Sequence, residues 1–336
     1  MKVGIVTFHE ANNYGAVLQC YALAETLKTF KHDVELINLP LHEKSGNLRG
    51  RLRNNVLSRA FTEFKSNYLP EISKNNDQNE ICVFGSDQVW NPQITKKHHL
   101  LYFGSWVKPE VTKISYAASF GLASWDFPEF TNEVKNQLQS FKALGVREAS
   151  GVEICKNMFG VESQQVVDPT LLLTDYTHLF TKRKNTNSLV CYIFGKEESK
   201  MINIRNIGKK CGLQPVLLND MRFRKGIKSV PFPTVDKWLS YLEASEFVIT
   251  DSFHCMVFSI LFKKNFIAIP AVPERAGRMV SLLDGLGLKS RFFNSIEDAP
   301  ESPLLLEKID YTIVDDKIKS LRESSLSFLK SALESN

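Results

Sequence analysis

Residues 244–269 read ASEFVITDSFHCMVFSILFKKNFIAI, and the fold is decided there. Phe247–Thr250 is a β-branched and aromatic run, the pattern of a buried strand. Asp251 and Ser252 come next, and both residue types satisfy the orphan N–H groups of a starting helix. Residues 253–262 are apolar almost all round, so the helix they form is buried. Lys263, Lys264 and Asn265 close it, and 266–269 reads as the following parallel strand. The unit is strand–helix–strand, with His254 in the first turn of the helix. Ligands of open α/β sheets sit at the carboxyl ends of strands, where helix N-termini point. Backbone N–H groups there suit an anion, and His254 could pass a proton to or from it. An imidazole in that place can equally do no more than satisfy a local carbonyl. Cys255 adjoins His254, but neighbouring helix positions point in different directions, so a Cys–His dyad does not fit.

The same alternation extends outward in both directions. In the second half, 188–194 is a strand, 196–211 a helix, Gln214–Leu218 a strand and 234–244 a helix, with further helices at 278–285 and 315–333. A polar linker, 181–187 (TKRKNTN), precedes them. In the first half, 2–8 is a strand, 9–14 a polar turn, 15–30 a helix and 34–39 a strand. Strands at 80–85, 113–118 and Ala143–Val146 follow, with an amphipathic helix at 129–142. This pattern predicts an α/β protein of two Rossmann-like domains with a cleft between them. The expected divisions are 1–180, 188–310 and a C-terminal helix, 311–336, able to pack back on the first domain.

A chain of 336 residues is longer than one core usually grows, which agrees with two domains. Hydrophobic content of 43% and charged content of 24% describe an ordinary soluble protein. The formal charge of +5 is modest and spread along the chain; it permits anionic ligands and gives no reason to expect nucleic acid. Six cysteines sit singly in apolar segments with no CxxC pair, as buried thiols do in a reducing compartment. MKVGIVTF at the start is too short for a signal peptide core, and no apolar run approaches membrane-spanning length. The expected location is cytoplasmic. His98–His99 and Asp315–Asp316 do not make a metal-ligand set, so no metal is expected.

Several polar turns fall where ligands would be met. HEANNYG, with Asn12, Asn13, Tyr14 and Gly15, fills the first strand–helix turn, where asparagine and glycine let backbone approach a ligand closely. It is not GxGxxG, so a dinucleotide fits poorly. GSDQVWNP offers Ser86, Asp87 and the flat face of Trp90, which suits a sugar ring; a helix cap plus one packed Trp explains it equally. SFG brings Ser119 and Phe120. Ala143–Val146 delivers Arg147 and Glu148. The irregular 41–79 carries Arg49, Arg51, Arg53 and Arg59, followed by Phe61, Phe64 and Tyr68. It reads as a solvated helical excursion, or as a flap toward an anionic acceptor or lipid headgroups.

Taken together, NYGAVLQCYAL, FGSDQVWNP, SYAASFG, VREASG, VVDPTLLL and ITDSFHCMVFSILF resemble the polysaccharide pyruvyl transferase family, in matching order from residue 3 to about residue 288. The resemblance implies a fold like that of GT-B glycosyltransferases. It implies transfer of the pyruvyl skeleton from phosphoenolpyruvate, a co-substrate rather than a cofactor, to two hydroxyls of one sugar, forming a cyclic ketal in cell-surface polysaccharide synthesis. The acceptor would be a sugar or a lipid-linked glycan, with room for peripheral contact with the inner membrane surface and no obligatory protein partner. The family's catalytic histidine falls on His254 and its arginine on Arg147. Related members read Thr-x-Arg-x-His where this chain has Thr250, Ser252 and His254, and a serine cannot replace the charge of an arginine fork. The donor would lie on Asp251, Ser252 and Phe253, with the missing charge supplied by Arg147, Arg275 or Arg278. Asn12, Asn13, Tyr14, Gly15, Ser86, Asp87, Trp90, Ser119 and Phe120 would meet the acceptor. The alternatives are a GT-B-like glycosyltransferase using a nucleotide sugar, and a non-catalytic glycan-binding member of the family.

Overall fold

Two parallel sheets organise the chain, and the order of their strands marks where ligands can enter. The structure, a computed structural model, describes residues 1–40, 48–74, 76–272 and 276–334, with side chains outside 48–56 and 77. The first sheet comprises β1 (Lys2–Val6), β2 (Asp33–Leu36), β3 (Ile81–Phe84), β4 (Thr112–Ala118), β5 (Ala143–Val146) and β6 (Gln164–Gln165), in the order β2-β1-β3-β4-β5-β6. The second comprises β7 (Ser188–Tyr192), β8 (Gln214–Leu218), β9 (Lys228–Val230), β10 (Phe247–Thr250) and β11 (Asn265–Ala268), in the order β11-β10-β7-β8-β9. Every pairing is parallel. The central strands β3, β7 and β10 are buried along their whole length, because helices cover both faces of a parallel sheet.

The helices are α1 (Tyr14–Thr29), α2 (Leu48–Tyr68), α3 (Pro92–Thr95), α4 (His99–Tyr102), α5 (Thr131–Leu138), α6 (Ala149–Ile154), α7 (Glu198–Cys211), α8 (Val235–Glu243), α9 (Phe253–Leu261), α10 (Gly277–Leu286) and α11 (Tyr311–Leu333). Two Rossmann-like sheets are present, as the sequence pattern predicts. Contacts divide the chain into unit 1, Met1–Ser45, Tyr68–Leu173 and Ile318–Asn336, and unit 2, Gly46–Asn67 and Thr174–Lys317. Within unit 1, the far part of α11 is tied down by Arg322 donating to the Leu171 carbonyl (2.6 Å) and by Ser325 Oγ accepting from Val167 N (3.0 Å). Phe328 of that helix closes over Gly145, where a Cβ would stand 2.6 Å from its ring. Among the described residues, no helix is long and apolar enough to cross a membrane.

In each sheet the chain runs one way and then reverses, and the reversal leaves a crevice at the strand carboxyl ends. In the first sheet it lies between β1 and β3; in the second, between β7 and β10. GSDQVW leaves β3 at the first of these. Gly85 there has φ +120°, and a Cβ would come within 2.2 Å of the Tyr116 carbonyl oxygen, so only glycine fits.

Four elements differ from the sequence reading. The helix expected over 129–142 is only α5, because Ser140 turns its hydroxyl back onto the Gln137 carbonyl (2.6 Å) and Phe141 folds into the core. The short β9 and α6 carry too few periodic residues to announce themselves. The irregular stretch holds α2, with Phe61 and Phe64 buried and Tyr68 edge-on to Tyr21 (centroids 6.1 Å apart). The side chains of Arg49, Arg51 and Arg53 lie outside the described residues; Arg59 is exposed. All six cysteines are free thiols, and burial raises Cys82, Cys191 and Cys255 well above the usual thiol range.

Candidate functional site

The crevice of unit 2 is built around the start of α9. Thr250 ends β10 with its hydroxyl on the Tyr192 carbonyl (2.7 Å) and accepts from Ser252 N (3.0 Å), which fixes the exit of the strand. Ser252 is the N-cap of α9, its hydroxyl accepting from Cys255 N at 3.4 Å. Phe253 and His254 follow in the first turn, both buried, with ring centroids 5.3 Å apart. The Arg278 guanidinium, from the first turn of α10, lies over the Phe253 ring at 5.8 Å. A cation therefore lies over Phe253, the residue that precedes His254 in the first turn of α9. Arg275 lies outside the described residues.

The Asp251 side chain is turned elsewhere. Both its carboxylate oxygens accept from Phe194 N (3.0 and 2.9 Å), so it ties the exit of β7 to the exit of β10 across the crevice. A carboxylate committed to that bond, and itself negative, is no ligand for an anionic donor. Burial pushes its carboxyl up to about 6, and the N–H bonds from Phe194 and Gly195 and the Lys200 ammonium oppose the shift without cancelling it.

That raised value has a consequence for stability. The folded state holds the Asp251 proton more tightly than the unfolded chain, whose carboxyl titrates near 3.8. The resulting stabilisation is fully present below that value and is lost as pH rises through about 6. Asp251→Asn should therefore flatten the decline in unfolding free energy between those two pH values, measured by urea melts across the window. An unchanged slope would show that Asp251 titrates normally.

In unit 1 the strand ends carry a different chemistry. Arg147, at the end of β5, is buried; its Nε donates to Glu148 (2.9 Å) and its Nη1 to Asp168 (2.9 Å), while Nη2 stands 3.8 Å from Asp87. Ser119 donates to Glu148 (2.8 Å), and the Thr170 hydroxyl donates to Asp168 (2.6 Å), with Ser86 Oγ 3.4 Å from the other Asp168 oxygen. Burial works against the Arg147 charge, and the three carboxylates more than offset it, raising its pKa. Three carboxylates face one guanidinium here. This geometry revises the expectation that Arg147 supplies the missing charge: its guanidinium is not an open fork for a dianion. Its partners are carboxylates of its own unit, and the cluster's surplus negative charge disfavours a doubly anionic donor.

The other residues expected to meet an acceptor divide by burial. Trp90 is fully buried, donates to the Tyr102 carbonyl (3.1 Å) and stacks on Phe103 at 5.4 Å. Phe120 packs against Trp90, Trp125 and Phe159. Both are core residues, and neither presents a face to a sugar. Tyr14, Gly15, Ser86 and Ser119 are likewise enclosed. Asn13 caps α1, accepting from Ala16 N at 3.2 Å, and stays exposed; Asn12 and Asp87 are half-buried. These three remain on the unit's polar edge. The sequence reading missed His9, buried at the end of β1 with Nδ1 3.2 Å from the Thr7 carbonyl, although HEANNYG begins with it. It also missed the pairing of Arg147 with Asp168, which lies 21 residues away in the chain.

Among solved structures, the chain is similar to a UDP-N-acetylglucosamine 2-epimerase from Methanocaldococcus jannaschii (14% identity, TM-score 0.52, covering 98% of this chain and 100% of that one). A putative enzyme of the same description from Listeria monocytogenes is matched at 12% identity and TM-score 0.54, over 98% and 96%. An O-GlcNAc transferase variant from Thermobaculum terrenum is matched at 12% and 0.51, where the chain covers 66% of that protein's length and 99% of its own. At such identities the likeness is one of fold, and the fold is GT-B-like. Comparison with curated proteins yields no match. The profile of the polysaccharide pyruvyl transferases matches residues 13–270, and the chain belongs to that family of transferases.

Proposed function

We propose that the protein transfers a pyruvyl group from phosphoenolpyruvate to two hydroxyls of one sugar, forming a cyclic ketal in the synthesis of a cell-surface polysaccharide. The observation that carries this reading is the start of α9, where His254 follows Phe253 in the first turn and the Arg278 guanidinium lies over the Phe253 ring. Phosphoenolpyruvate bears a carboxylate and a phosphate, so its site needs fixed positive charge together with N–H donors. Ser252 occupies the position where related members carry arginine, and Arg278 restores a cation to the same helix start.

His254 acts as the acid. A proton delivered to the methylene carbon turns it into the ketal's methyl group and leaves the neighbouring carbon electrophilic. One sugar hydroxyl adds there, and the second displaces inorganic phosphate. Of the two hydroxyl protons, one balances that given to the methylene and the other leaves with phosphate. The helix N–H groups and Arg278 stabilise the phosphate as its bond breaks.

Phosphate release from phosphoenolpyruvate in the presence of glycan acceptors tests the proposal. Release that requires both components is expected. Thermal stabilisation by nucleoside diphosphates, with none by phosphoenolpyruvate and no phosphate release, would favour a nucleotide-sugar glycosyltransferase instead.

A further inference from the structure

The loop leaving β8, residues 219–227, reads NDMRFRKGI and departs from the same edge of its sheet as the start of α9. Its apolar side chains are turned outward. Phe223 is 95% exposed and Met221 70%, and Phe194 at the exit of β7 is 56% exposed. Single exposed apolar residues need no explanation, but these three border two adjoining hollows of about 540 and 580 Å³ that share Arg222.

The loop is held in shape rather than left loose. Arg224 bonds to Asp220 (2.6 Å), to the Lys196 carbonyl (3.2 Å) and, more loosely, to Glu198 (3.5 Å), so its charge is spent on tying the loop to the start of α7. Ile227 N closes the turn on the Arg224 carbonyl (3.1 Å). What this frame presents to solvent is Met221 and Phe223 at the tip, flanked by the exposed cations Arg222, Lys225 and Lys228.

We infer that this loop docks the protein on an anionic phospholipid bilayer, with Phe223 and Met221 entering the headgroup region and Arg222, Lys225 and Lys228 pairing with lipid phosphates. Charge complementarity commits the surface to that partner: the exposed Arg222, Lys225 and Lys228 flank the apolar tip and outnumber the exposed carboxylates of the two hollows, Glu197 and Glu198, as in an interfacial anchor. A nucleic acid would instead be served by cations lining a groove with aromatic faces set inside it. Docking through this edge would bring the start of α9 to the membrane surface, where a lipid-linked acceptor is carried. The docking stands on the loop alone, whatever reaction α9 supports.

Sedimentation with phosphatidylcholine vesicles, with and without phosphatidylglycerol, tests it. Binding is expected only to the anionic vesicles, falling as salt rises. Met221→Ser with Phe223→Ser should weaken binding at least about tenfold, since burying one such side chain is worth that much. In a Phe223→Trp variant the tryptophan emission should shift to the blue on anionic vesicles and stay in place with soluble dextran sulfate. Absence of vesicle binding, unaltered binding by the double serine variant, or an equal shift with dextran sulfate would each overturn the assignment. Phosphate release with a soluble acceptor, measured on the serine variant, separates this result from the reading of α9.

Discussion

Replacing His254 by glutamine lowers turnover roughly 10²–10⁴-fold, the usual worth of a general acid, and leaves thermal unfolding in place. The expectation rests on position. His254 heads a helix whose remaining first turn is apolar and buried, and Phe253 beside it carries the Arg278 guanidinium. Glutamine keeps the size and a polar end but cannot deliver a proton at neutral pH. The fold should not depend on the imidazole, because the helix start is held by the Ser252 cap and the Thr250 hydroxyl. Unaltered turnover in a normally folded variant would reduce His254 to a structural residue and remove the acid from the mechanism.

Arg147→Met destabilises the protein by about 3–5 kcal/mol, the range for removing one partner of a buried charge cluster. Methionine fills most of the volume but leaves Glu148 and Asp168 buried without their cation. A change in denaturation midpoint is expected, with little change in affinity for phosphoenolpyruvate in whatever protein remains folded. Weakened donor binding with normal stability would mean that Arg147 reaches the donor after all.

The sheets were legible because buried parallel strands are apolar throughout and end at sharp polar turns. Phe247–Thr250, Gln214–Leu218 and Ala143–Val146 agree with the sequence reading to the residue. The start of α9 was legible for the same reason, since Asp251, Ser252 and His254 interrupt the most apolar stretch of the chain. What could not be read was how each polar side chain would be used. Trp90 looks the same in sequence whether it faces a sugar or Phe103, because its indole N–H finds the Tyr102 carbonyl only after folding. Asp251 reads as a helix cap, yet its carboxylate crosses to Phe194, 57 residues earlier. Arg147 reads as an open cation because two of its partners, Asp87 and Asp168, are brought to it by the sheet. Local pattern carries the elements; long-range pairing decides which charges remain for a ligand.

Incubating the protein with phosphoenolpyruvate and a glycan pool from the producing cell, then weighing the products, tests the central claim most directly. The account predicts glycans heavier by one pyruvic acid less one water, with one phosphate released per addition and both slowed roughly 10²–10⁴-fold by His254→Gln. Glycans extended by a sugar when a nucleotide sugar is supplied, with no pyruvyl mass from phosphoenolpyruvate, would contradict it.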